Sequence, residues 1–148
     1  MRRVFPIFLG LLGAVAQVGL AHADGIADFY RGQTISLVVG SDPGGGYDAY
    51  ARPVARHLGR LIPGNPGIAV KYMPGAGSLV AANWLYNAAP RDGLTIGALG
   101  RGIVTEPLFE NANARYVPSK FNWIGSPSRE NATVLSFGNS KFRTLDDL

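Results

Sequence analysis

The chain has 148 residues, no cysteine, and 14 Lys and Arg against 10 Asp and Glu, a net charge of +4. Without Cys there are no disulfides, no disulfide-linked partner, no thiolate metal site and no cysteine nucleophile, so a core alone must stabilise the fold. The basic excess is thin and never clustered, which argues against a nucleic-acid track.

Arg2 and Arg3, the uncharged run "VFPIFLGLLGAVAQVGL" and the small-residue ending "AHA" read together as a signal peptide over residues 1–23, cleaved after Ala23. Pro6, the glycines of the apolar run and the ending favour that over a membrane anchor. The expected location is the periplasm. The 125 residues that remain carry twelve basic and ten acidic side chains, net +2, and His57 is their one histidine. One imidazole cannot build a multi-histidine metal site, and the length suits one domain or one lobe of something larger.

"GIADFYRG" (25–32) reads as a short helical lead-in, and "TISLVVG" (34–40) as a strand covered on both faces. After a glycine turn, Tyr50, Val54, Leu58, Leu61 and Ile62 form one face of a helix, with Arg52, Arg56 and Arg60 opposite. "PGNPG" (63–67) stops it. The pattern then repeats: strand "IAVKYM" (68–73), turn "PGAG" (74–77), and helix "SLVAANWLYNAA" (78–89). In that helix Ser78 is the expected N-cap, with Leu79, Ala82, Leu85 and Tyr86 inward. "LTIGALG" (94–100) is a third strand. This βαβαβ order predicts an α/β fold with a mainly parallel sheet and right-handed crossovers. Both glycine turns then lie at the carboxyl ends of the strands, where open α/β sheets bind ligands. Beyond residue 100, "VTEPLF" suggests a short helix, "ENANARYVPSK" a loop, "FNWIGS" (121–126) and "TVLSF" (133–137) strands, and "TLDDL" a first helical turn capped by Thr144.

The first turn, "SDPGGGYDAYAR" (41–52), admits several chemistries. Gly44, Gly46 and Ala49 satisfy G-x-G-x-x-A, which suggests a nucleotide-binding α/β enzyme domain. That fingerprint also needs an acid about twenty residues on for a ribose, yet no Asp or Glu occurs between Asp48 and Asp92. A P-loop requires Gly-Lys-Ser/Thr, and Tyr47 and Asp48 stand there instead. Ser41 or Ser78 with His57 and Asp48 composes a hydrolase triad on paper, but neither serine lies in a G-x-S-x-G elbow. A further alternative is an interaction module that uses an exposed sheet edge. There remains a small anion held by main-chain N–H groups, for which two glycine turns leading into two helix N-termini make a cradle. The bland counterpart is a pair of tight turns with Asp48 as a helix cap.

The stretches "VVGSDPGGGYDAYARPVARHL", "MPGAGSLVAANWLYNAAPRDGLTIG" and "FNWIGSPS" resemble the extracytoplasmic substrate-binding receptors of tripartite tricarboxylate transporters, the Bug family. The likeness runs from Phe29 to Leu148, and the paired P-G-G-x-x-D and P-G-A-G turns are its most specific feature. It implies a two-lobed periplasmic binding protein, not an enzyme and without a cofactor, that delivers a small di- or tricarboxylate or related organic acid to the membrane components of a transporter. Residues 24–125 would form the first lobe, and 126–148 the crossover and start of a second, largely missing lobe. The chain is thus expected to be an incomplete fragment. Carried over, the ligand-binding residues are Pro43, Gly44, Gly45, Gly46 and Asp48 in one turn, and Gly75, Ala76, Gly77 and Ser78 in the other, after Pro74. They would hold a carboxylate by main-chain groups and bridging waters. Pro53 departs from the pattern, standing where an apolar residue is usual.

Overall fold

The computed structural model describes residues 21–129, 135 and 137–147. The signal-peptide segment up to Leu20, and most of the expected strand 133–137, lie outside them. A helix α1 (Ala21–Tyr30) leads into β1 (Thr34–Val39). The apolar run of β1 is nearly continuous, and Ile35, Leu37, Val38 and Val39 are all buried. Such a strand belongs in the middle of a sheet covered on both sides.

It lies there. β1 pairs in parallel with β2 (Gly67–Tyr72) on one side and with β3 (Thr95–Ala98) on the other, giving the order β2-β1-β3. The fold is α/β with a parallel sheet. Helix α2 (Gly46–Leu58) joins β1 to β2, and α3 (Leu79–Asn87) joins β2 to β3. Register shows which face each helix covers. Leu37 stands beside Val70 and Ile96, and Val39 beside Tyr72 and Ala98, so these six share a face. Ala51, Val54 and Ala55 of α2 pack onto that face. Val38 and Gly97 are neighbours on the opposite face, where a Cβ at Gly97 would run into Leu85 of α3. Glycine in β3 therefore lets α3 sit close. Each fully buried aliphatic side chain here contributes about 1.5–3 kcal/mol.

The inward face of α3 is as its periodicity predicts: Leu79 and Ala82 enter a second core with Ile103 and Tyr116, and Tyr86 packs against it. The inward face of α2 is rotated from the expected one. Tyr50 is 40% and Leu61 74% exposed, whereas Ala51 is buried. Small Ala51 and Ala55 let the helix settle on the sheet, which turns Tyr50 outward. Arg52, Arg56 and Arg60 are exposed as expected, and so is His57.

Beyond β3 the chain forms two 3-10 turns, Arg101–Val104 and Glu106–Phe109, where a short helix was predicted. The loop that follows is strapped to α3. Asn83 bonds both Asn113 and Arg115, Asn87 donates to the Arg115 carbonyl, and Tyr116 donates to the Ile103 carbonyl at 2.9 Å. "FNWIGS" is not a strand. Its Phe121 turns into an aromatic group with Tyr86, Tyr116 and Trp123, and Ile124 is 86% exposed, so side-chain packing rather than sheet pairing decides its path. At Thr144 the predicted cap is reversed: Asp147 Oδ2 accepts the N–H groups of Arg143 and Thr144.

Candidate functional site

Both glycine turns arrive at one edge because all three strands run the same way. After β1 the chain passes to the α2 face. After β3 it passes to the α3 face, where Ile103 joins the second core. The crevice between two such diverging loops is the topological switch point of an open α/β sheet.

The first turn is built around Asp48, which is 1% exposed. Its Oδ2 accepts from the Gly44 N–H at 2.6 Å and from Arg52 Nε at 2.8 Å, and its Oδ1 accepts from the Tyr72 hydroxyl at 2.7 Å. The N–H bond from Gly44, then the bonds from Tyr72 and Arg52, hold the carboxyl below its ordinary value of 3.8, against the opposing effect of burial. The Tyr72 phenol is raised by its bond to Asp48 and by desolvation. Asp48 is not the N-cap of α2. Gly45 is, with no side-chain bond, and Asp48 sits in the first turn reaching back to Gly44. Gly44 needs its glycine because φ is +83°. The first N–H groups of α2 point out of the helix without intrahelical acceptors. Ser41 Oγ, in the same turn, is buried with no hydrogen-bond partner among the described residues.

The second turn is left-handed over four consecutive residues, Gly75, Ala76, Gly77 and Ser78, with φ of 138°, 44°, 61° and 79°. Two of these are not glycine, and each such residue costs about 1–3 kcal/mol unless its surroundings hold it. Ser78 is held. It precedes α3 as the predicted N-cap, but its hydroxyl makes no capping bond. Instead Oγ donates to the Gly40 carbonyl and accepts from the Gly100 N–H, both at 2.9 Å. One buried hydroxyl thereby ties together the loops after β1, β2 and β3. Gly40 has no room for a side chain, since a Cβ would lie 2.5 Å from Ser78 Cβ.

A cleft of about 230 Å³ opens beside this joint, lined by Gly46, Tyr47, Tyr50 and Arg101. The Arg101 N–H donates to the Tyr47 hydroxyl at 3.2 Å, bridging the loop after β3 to the start of α2. Of the residues predicted for the site, Gly46 lines the cleft, and a Cβ there would meet nothing within 4 Å. Pro43, Gly44, Gly75, Ala76 and Gly77 are exposed around the same edge, Gly45 is partly covered, and Asp48 and Ser78 lie beneath it as supports. A Cβ at Gly75 would lie 2.7 Å from Val80 Cγ2, so packing and φ demand that glycine.

Tyr47, Tyr50 and Arg101 escaped the sequence reading. Two signals were present: tyrosines three apart in the opening turns of a helix, and a basic residue between glycines after a third parallel strand. Comparison with protein-family models and with curated proteins returns no match.

Proposed function

We propose that the chain is the ligand-binding lobe of an exported solute receptor, which holds a small organic carboxylate for a tripartite tricarboxylate-type transporter and catalyses nothing. The observation that carries this reading is the cleft at the switch point, where the N-terminus of α2, the open side of Gly46 and Arg101 converge. Unpaired N–H groups at a helix start favour an anion. The paired glycine turns that resemble the Bug receptors form the rim of the same edge. Asp48 suits a structural role, since both its oxygens already accept protein donors and its proton is held off. Nucleotide binding draws no support, because the stretch between Asp48 and Asp92 offers a ribose no acid.

The test is calorimetric titration with succinate, citrate and benzoate of the wild type and of Gly46→Val. The backbone of Gly46 is ordinary helix, so the valine keeps the fold and fills the cleft. Binding that disappears in the variant, with melting little changed, supports the reading. Equal affinity in both proteins overturns it.

A further inference from the structure

We propose that the outward face of α2 is a docking surface for an acidic helical segment of another protein. Arg52, Arg56 and Arg60 are four apart in sequence, and a helix gathers such residues onto one line at intervals of about 6 Å. The line does not break where α2 ends. Gly59 keeps right-handed helical angles, φ −55° and ψ −41°, and a 3-10 turn over Gly59–Leu61 carries the line on to Arg60. All three arginines are exposed. Asp48 engages Arg52 through Nε and leaves that side chain 58% exposed. Arg56 and Arg60 form no ion pair among the described residues.

A basic ridge is often no more than a solvated face, and two observations set this one apart. Solvated helices commonly place acids four residues from their arginines, yet α2 does so only at Arg52, and no acid occurs between Asp48 and Asp92. Beside the arginines runs a second exposed line, Tyr50, His57 and Leu61, in which the leucine keeps 74% of its surface in water. Tyrosine and arginine are among the residues most enriched in protein interfaces. The chemistry favours carboxylates on a protein. Arginine's planar fork matches a carboxylate as lysine's point charge does not, and acids four apart on a partner helix recur at the same interval of about 6 Å. An anionic membrane is recognised by clusters of about four to eight basic residues. Three arginines, one of them already engaged, fall short of that.

The experiment titrates the full chain by NMR at low ionic strength with three probes. They are a stapled alanine-rich helix with glutamates at i, i+4 and i+8, an isomer with the same glutamates spread round the helix, and phosphatidylglycerol vesicles. The aligned peptide is expected to bind about two- to thirtyfold more tightly than its isomer, the range that two exposed ion pairs supply. It should also shift the signals of Tyr50, His57 and Leu61. The double variant Arg56→Glu, Arg60→Glu should reverse the preference, refusing the glutamate peptide and taking one with lysines at the same positions. That gain of binding reads the surface in a folded variant. If the isomer binds as well as the aligned peptide, or the variant keeps the wild-type preference, the proposal falls. It falls equally if the vesicles bind and the aligned peptide does not, or if no probe binds.

Discussion

Asp48 and Ser78 do the positioning at the sheet edge, and neither is exposed to a ligand. Asp48 gathers a backbone N–H, a phenol and a guanidinium from three places in the chain. Its lowered pKa carries a sign: the unfolded chain binds more protons near the ordinary carboxylate range than the folded one. The stabilisation is therefore complete above about pH 4, the unfolded value, and is lost as pH falls through the lower folded value. Asp147, held down by the N–H groups of Arg143 and Thr144, adds to the same trend. Asp48→Asn should be less stable at neutral pH, and its urea midpoint should change less than that of the wild type between about pH 4 and 2. A wild-type midpoint that is flat over that range would contradict the assignment. The importance of Asp48 was legible from its place after the glycines. Its partner Tyr72 was not, because register brings the two together across 24 residues. The role of Ser78 was hidden too, since a serine before a helix reads as a cap until the neighbouring loops are in view.

Periodicity located the elements well: three strands, two crossover helices and the lead-in helix all stand where apolar pattern and turn residues put them. Its failures have separate causes. The face of α2 was misread because alanines, weak in a hydrophobic pattern, are the residues that let the helix approach the sheet. "FNWIGS" has strand composition, but an aromatic cluster holds its Phe121. Helix α2 begins at Gly46, which places Pro53 in the helix interior. There it withholds one backbone bond. Pro53→Ala should restore it and raise stability by about 1–2 kcal/mol, after allowance for the greater freedom of the unfolded chain. Urea denaturation measures this, and an unchanged or lower midpoint would mean that the helix already absorbs the proline without loss.

For the whole molecule, the cleft is shallow in the sense that matters for affinity: the tyrosines lining it keep 38% and 40% of their surface in water. Water competes for each N–H there, and a high dielectric weakens charge attraction about twentyfold relative to a dry interior. The described lobe should therefore hold simple carboxylates only near millimolar, about −4 kcal/mol. Calorimetry reads this directly, and micromolar affinity for any of them would show that one open edge suffices. Both outer strands of the sheet lack a partner among the described residues, and Leu108, Phe109, Leu135 and Phe137 are more than three-quarters exposed. Concentrated solutions should accordingly show self-association. The turn from Gly75 to Ser78 has a consequence of another kind. Its four consecutive positive φ angles make it a short passage of opposite chirality to the helices and strands around it. In a chemically assembled protein, D-alanine at position 76 would be at ease where L-alanine is strained, and the mirror-image residue would stabilise the natural fold.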